Sequence, residues 1–493
     1  MNEKVIVIGG GLGGLAGAIR LAKMGYQVDF YEKNTNPGGK MNEWTDGNYR
    51  FDTGPSLVTM PFIIDDLFAF AGFERREHLE FVPIDPICRY FFSDGTRFDA
   101  SSNLDAMQRE INRISPDDVD GFQRFLDYAK TIYDITADVF ILESVHEWSR
   151  LANGKTLRKL LRIGQIDAFR TVHQAVKHFF KDDRLVQIFD RYPTYNGSNP
   201  FKAPATLNTI VWVEYGLGGF YIKGGLYRLV EALVRVAEDL GVIIHSSTPV
   251  EKIKITNQKV SGIESREQFF PADAILCNVD VVETYNTLID NQEKRREQLN
   301  KLEPSISGLV FCWGIEGQFD QLAHHNIFFS DDYQQEFESI FDELQHPDDP
   351  TIYIAVTSKH DKDHAPPNHE NWFVLCNMPY LTETQNWTKI VEQMRYRIFK
   401  KLQYHDIDVQ DKIKVEKVYT PIDFHNTYAS NRGSIYGISS NDRNMAFRRP
   451  ANRDRNIKGL YFAGGSSHPG GGVPLVLQSG KIAAELLGEH LQK

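Results

Sequence analysis

No pair of cysteines in this chain has the spacing of a redox motif or a metal site. Four are present, Cys88, Cys277, Cys312 and Cys376, and none belongs to a C-x-x-C. That excludes a disulfide framework and a cysteine-built zinc site, and the spacing reads as scattered thiols in a reducing cytosol. No uninterrupted apolar run approaches the ~18 residues of a membrane-crossing helix. Positive charge is not in excess either. The net charge is -11, which makes nucleic acid an unfavourable partner for the chain as a whole. Internal repeats and low-complexity tracts are absent. The first strand pattern begins at Lys4 and is too short for the apolar core of a signal peptide. The expected location is therefore the cytoplasm. With 493 residues, 41% of them hydrophobic and 25% charged, the chain is long enough for roughly two to four folding units of about 100–200 residues.

What is present begins with a glycine cluster. The apolar run Val5–Ile8 reads as a buried strand and is followed by Gly9-Gly-Gly-Leu-Gly-Gly14. Gly9, Gly11 and Gly14 complete G-x-G-x-x-G. The first makes a tight turn, the second lets a pyrophosphate approach the backbone, and the third lets the helix pack on the strand. The free amides and dipole of the helix start would then face phosphate. A second strand, Gln27–Tyr31, ends at Glu32, 18 residues past Gly14, where a ribose-binding carboxylate belongs. Strand, turn, helix, strand and acid together predict a dinucleotide site. Near the other end, residues 459–480 form a second strand, glycine-rich turn and helix, the helix starting near Val473. Two such anion-binding devices suggest one extended cofactor held from two sides.

The box at 459–480 closely resembles the signature of the carotenoid desaturases, the bacterial-type phytoene dehydrogenases of the flavin amine oxidase superfamily. Similar elements are Pro37-Gly-Gly-Lys40, Phe51-Asp-Thr-Gly-Pro-Ser56, Tyr195-Asn-Gly-Ser-Asn-Pro200, Gly219-Phe-Tyr-Ile-Lys-Gly-Gly225, Pro421 with Asp423 and Phe424, Gly433-Ser-Ile-Tyr-Gly437 and Arg449-Pro450. The likeness covers nearly the whole chain. Ser467 and Gly471 depart from the usual signature by small changes of volume. The resemblance implies FAD as cofactor, held by Gly9, Gly11, Leu12, Gly13, Gly14, Glu32, Lys40, Pro55, Ser56, Val250, Asn278, Gly464, Gly465, Gly472 and Val473. It also implies a carotenoid substrate and a C=C bond introduced by loss of a hydride and a proton. Within the family the chain looks most like the enzymes that desaturate hydroxycarotenoids at positions 3,4, with phytoene desaturases as the alternative. A non-catalytic prenyl-binding escort protein of related architecture is the alternative from another class. The hard chemistry belongs to the cofactor, in keeping with the lack of any recognisable nucleophile–base pair. No catalytic residue is assigned; His468 is as readily a structural residue of the turn as a base. Quinone or oxygen, rather than NAD(P), is the expected electron acceptor.

The expected fold is α/β. A Rossmann-like nucleotide domain would be assembled from residues 1–95, 215–290 and 415–493. An α+β substrate domain would come from residues 96–214 and 291–414, with strands at Leu309–Ile315, Thr351–Val356 and Phe373–Cys376. Ser115-Pro-Asp-Asp118 reads as a capping box. Residues 150–181 hold eight Lys or Arg and one acid, interleaved with apolar residues at helical spacing. That pattern predicts peripheral contact with membrane lipid, from which a carotenoid would enter.

Overall fold

The computed structural model describes residues 3–147 and 162–492. Its first layer is a five-stranded, all-parallel sheet in the order Leu460–Phe462, Ala274–Cys277, Lys4–Ile8, Gln27–Tyr31, Ile243–His245. Strands from three distant parts of the chain thus lie side by side, and the opening strand takes the centre because both its faces are apolar. Val5 and Val7 meet the helix Leu12–Lys23 on one face. Ile6 and Ile8 meet a small antiparallel sheet (Lys252–Thr256, Lys259–Ser265, Gln268–Pro271) on the other. The first helix also packs on the last, Val473–Leu491. Glycine permits the approach: a Cβ on Gly480 would lie 2.3 Å from the carbonyl oxygen of Gly13. The N- and C-terminal glycine turns are therefore carried to the same edge of the sheet.

The second layer is a seven-stranded sheet in the order Ile413–Tyr419, Ser307–Glu316, His369–Met378, Ile352–Ala355, His325–Phe328, Cys88–Phe91, Arg97–Ala100. All its pairs are antiparallel except His325–Phe328 with Cys88–Phe91. Alternation along Leu309–Trp313 sends Leu309, Phe311 and Trp313 under the helix Trp387–Tyr404, and Val310 and Cys312 toward the first layer. Helices Leu104–Ile114, Val119–Thr136, Val172–Phe179, Asp183–Asp190 and Thr209–Tyr215 pack beyond the far edge of this sheet.

Three expectations are corrected here. Cys88–Phe91, placed by the sequence in the nucleotide segment, belongs to the second sheet, and the strand Ile413–Tyr419 crosses the boundary set at 415. Asp118 does not close a capping box. Its carboxylate accepts Ser115 Oγ–H at 2.8 Å and the backbone N–H groups of Lys181 and Asp182, both at 2.9 Å, which ties two helices together. The later part of the basic stretch is a core helix, with Val172, Val176 and Phe180 buried and Arg170 paired with Asp167. Its earlier part, including Arg150, Lys155, Arg158 and Lys159, lies outside the described residues. Among the described residues no helix is long and apolar enough to cross a membrane.

Candidate functional site

The first glycine turn is held by its own backbone and by Glu32. Gly9 has φ +95°, and its N–H donates to Tyr31 O at 2.8 Å. One Glu32 oxygen accepts the N–H of Gly10 at 2.5 Å, and the other accepts the N–H of Asn34 at 2.7 Å. Gly38 N–H donates to Gly10 O, so the second glycine pair packs on the first. These groups open on a cavity of about 580 Å³. Gly9, Gly11, Leu12, Gly13, Glu32, Lys40, Pro55, Val250, Asn278, Gly464, Gly465, Gly472 and Val473 all line it. Two of the sequence-assigned residues do not. Gly14 lies behind the turn, where a Cβ would sit 2.3 Å from Gly9 O. Ser56 lines a neighbouring cavity, its hydroxyl bonded to that of Tyr353.

The residues present fit a dinucleotide. A Cβ on Gly11 would lie 2.6 Å from the Asn278 amide, and one on Gly13 would lie 2.6 Å from its oxygen and 2.9 Å from the nitrogen of Gly464. The bare backbone at these positions forms the cradle. Asn278 Oδ1 is buried and has no partner among the described residues, as expected of a group awaiting a ligand donor.

Lys40 lines the cavity and makes a second contact that the sequence did not suggest. Its Nζ donates to the carbonyl of Ile435 at 2.7 Å, and burial pushes its ammonium down to about 8, against the pull of the Asp280 carboxylate. Lys40 thus clamps the N-terminal loop to the C-terminal segment while lining the cavity. Asp280 lines the same cavity, and burial pushes its carboxyl up. Sequence reasoning also missed Arg449 and Tyr436 as site residues, although both lie in segments that carry the family likeness. The buried Arg449 guanidinium donates to Ile438 O at 2.9 Å, Gly465 O at 3.2 Å and Ser440 Oγ at 3.2 Å, bracing the C-terminal turn. Burial lowers it to about 10. Tyr436 is in the wall of both cavities.

The second cavity, about 820 Å³, lies between the two layers and the helical part. It meets the first at Gly54, Pro55, Phe373, Leu375, Tyr436 and Gly471–Val473, which line both. Its buried end is walled by Ile87, Phe329 and Tyr333. Its outer rim carries Ile163, Phe169 and Phe447, of which Phe169 is 87% and Phe447 54% exposed. His468 lines it too, but its Nε2 is engaged at 2.8 Å with the carbonyl of Glu143, and burial pushes the ring down to about 3. It donates there as a neutral imidazole and is a poor base.

A parallel sheet with two glycine turns at one edge, opening on a dinucleotide-sized cavity beside an apolar one, defines a flavin-dependent oxidoreductase. Residues 12–487 match the family model for flavin-containing amine oxidoreductases, and the chain belongs to that family, with FAD as cofactor. It is 39% identical over 486 residues to a 1-hydroxycarotenoid 3,4-desaturase of Flavobacterium sp. (strain P99-3), covering 98% of this chain and 99% of the relative. It is 35% identical over 496 residues to a 4,4'-diapolycopene oxygenase of Methylomonas sp., covering 100% and 99%. Among solved structures, an oxidoreductase from Methanosarcina mazei shares the fold with a TM-score of 0.66 at 16% identity, over 98% of this chain and 100% of that one. Cyclohexylamine oxidase from Brevibacterium oxydans does so with 0.60 at 15%, over 100% of both.

Buried histidines make the assembled site sensitive to acid. Burial holds His468, His324 and His325 below the ordinary 6.5. The 2.7 Å Nδ1···Nδ1 contact between His324 and His360 needs one lone pair, so both rings cannot be protonated there. Their folded values lie below the unfolded one, so the unfolded chain binds more protons as pH falls. Stability is complete above about 6.5 and is lost progressively below it. The thermal midpoint of the flavin-loaded protein is expected to drop between about pH 6.5 and 4. The His468→Gln/His325→Gln protein should show a flatter profile. Superimposable profiles would remove these histidines from the explanation.

Proposed function

We propose that this protein is an FAD-dependent carotenoid desaturase that introduces a C=C bond into an acyclic or monocyclic carotenoid, with the 3,4 bond of a 1-hydroxycarotenoid as the preferred target and phytoene as the alternative. The observation that carries this reading is the mostly apolar cavity of about 820 Å³ joined to the cofactor cavity, in a chain 39% identical to an enzyme named for that reaction. Bound FAD supplies the hydride acceptor. The residues of this chain then do three things. Gly471–Val473 and Tyr436 form the shared wall against which a chain would lie, the apolar side chains exclude water, and Pro55 and Phe373 line the junction. We propose the cofactor contacts as the cavity-lining residues above, with Gly14 acting through the turn and Ser56 moved to the substrate side.

The likeness to oxygenases favours a second reading, oxygenation of the carotenoid terminus. One experiment separates the readings. The flavin-loaded protein is given phytoene, lycopene or a 1-hydroxy acyclic carotenoid in liposomes, with quinone or oxygen as electron acceptor, and products are weighed. Loss of two hydrogens supports desaturation and gain of oxygen supports the second reading. An unchanged substrate in every arm overturns both. Rapid reoxidation by NAD+ alone would contradict the proposed acceptors.

Membrane contact is part of the proposal. The exposed Phe169, Phe447 and Ile163 stand at the cavity mouth, with Arg443 stacked 5.8 Å from the Phe169 ring. Each Lys or Arg near an anionic surface contributes about 1 kcal/mol, screened by salt. Changing Arg158, Lys159 and Arg162 together to Gln should therefore weaken binding to anionic liposomes on the order of a hundredfold at low salt. Changing Phe169 and Phe447 to Ser should weaken binding in a way that salt affects less. Unaltered co-sedimentation of both proteins would place the membrane face elsewhere.

A further inference from the structure

Most of the wall of the larger cavity is apolar, but one strip is not. Arg191, Thr194, Tyr195 and Asn196 line it along the 3-10 turns after the helix Asp183–Asp190, and Thr209 joins them from the start of the helix Thr209–Tyr215. The strip is fixed from behind. Arg191 Nε donates to Tyr90 OH at 2.5 Å, and Nη2 donates to Glu214 at 3.0 Å. Glu214, fully buried, also accepts the hydroxyls of Tyr192, at 2.8 Å, and Tyr195. Within the strip, two buried oxygens have no partner among the described residues, Asn196 Oδ1 and Thr209 Oγ1. Buried polar atoms are nearly always paired, so unpaired ones on a cavity wall mark where a ligand's polar atom belongs. The strip also abuts the junction with the cofactor cavity. Gly197, next after Asn196, has φ +71°, and a Cβ there would lie 2.7 Å from the ring of Tyr436.

We infer that this strip binds a hydroxyl at the end of the substrate chain and, by anchoring it beside Tyr436, selects the bond that is presented to the cofactor. The inference rests on the carotenoid reading above and adds to it the residues that set specificity. A hydroxyl both donates and accepts. Its hydrogen meets Asn196 Oδ1, and its lone pairs face the Thr209 hydroxyl and the Arg191 guanidinium. A hydrocarbon terminus leaves the Asn196 and Thr209 oxygens unpaired, which is the basis on which polar sites reject analogues lacking the oxygen.

The test compares kcat/KM for two acyclic carotenoids in liposomes, identical except that one carries a 1-hydroxy end group. The enzymes are the flavin-loaded parent and its Asn196→Leu, Thr209→Val and Tyr195→Phe variants, each checked for flavin content. The parent should prefer the hydroxylated chain by about a hundredfold or more. Asn196→Leu and Thr209→Val should each cut that preference by about tenfold, chiefly through poorer use of the hydroxylated chain, and should spread the new double bond over more positions. Thr209→Val is nearly isosteric, so it remains informative if a larger change impairs folding. A parent that uses both chains equally well overturns the inference and leaves the desaturase reading standing. A parent that converts neither overturns that reading and the inference with it. A preference unchanged in all three variants assigns the hydroxyl to other residues and overturns the inference.

Discussion

Both Gly14→Ala and Gly11→Val are expected to yield colourless protein, for different physical reasons that thermal unfolding separates. A methyl on Gly14 would sit 2.3 Å from Gly9 O, a backbone atom in the turn itself, so the strand-to-helix geometry must shift. Overpacking of that kind costs about 1–3 kcal/mol. At Gly11 the backbone angles, φ -71° and ψ 170°, suit any residue, and the nearest obstacle is the movable end of the Asn278 side chain. Valine there leaves the apoprotein sound and occupies the space that the cofactor needs. Loss of a ligand present at about a thousand times its Kd removes about 4 kcal/mol of stability. The Gly11→Val protein should therefore unfold with the flavin-stripped parent, and Gly14→Ala should unfold several degrees below it. Flavin absorbance after gel filtration and a melting curve suffice. Retained flavin in Gly11→Val would remove that position from the cofactor's approach. A Gly14→Ala protein as stable as the stripped parent would show that the turn has more slack than its geometry indicates.

The difference between these two glycines was only partly legible in the sequence. The fingerprint is contiguous, so turn, helix start and Glu32 could be assigned from spacing, and they converge on one cavity. Contacts between distant segments could not. Lys40 reads as a cation for phosphate because its glycine neighbours suggest one, but nothing local shows that its ammonium also donates to Ile435, 395 residues away. Asp280 and Arg449 gain their character from burial, which no local pattern encodes. Ser56 is adjacent to Pro55 in sequence, yet Pro55 lines both cavities and Ser56 only the larger one, a difference that spacing along the chain does not encode. Cys88–Phe91 has the composition of a strand but no mark of which sheet it joins. Residues 162–181 show the same apolar period whether that face meets lipid or a core. Here Val172 and Val176 take the core, and the exposed apolar surface is concentrated in Ile163 and Phe169.

The largest expected loss of stability in the substrate-binding part comes from its buried ion pair. Glu214 is fully buried, and Arg191 stacks on Tyr192 with its guanidinium carbon 4.5 Å from the ring centroid. Desolvation of both charges is offset by their mutual attraction and by the tyrosine hydroxyls that saturate the carboxylate. Removing one partner keeps the cost and loses the compensation. Glu214→Leu leaves a guanidinium in the core facing only tyrosines, an expected loss of about 3–5 kcal/mol. For a folding unit of this size that lowers the unfolding midpoint by on the order of 10 °C. Glu214→Gln retains an acceptor for the hydroxyls and should lose less. The decisive comparison is the Arg191→Met/Glu214→Leu double variant, which buries no unpaired charge and should be more stable than Glu214→Leu alone. If the double variant is the less stable of the two, the unpaired guanidinium carries no cost in this core, and a double variant less stable than the parent would show that the pair contributes net attraction beyond its desolvation cost. Loss of the guanidinium should at the same time weaken any preference for a hydroxylated chain, because Arg191 is the one cation that the strip presents beside Asn196 and Thr209. Stability and specificity would then move in opposite directions in a single protein, which packing damage alone would not produce.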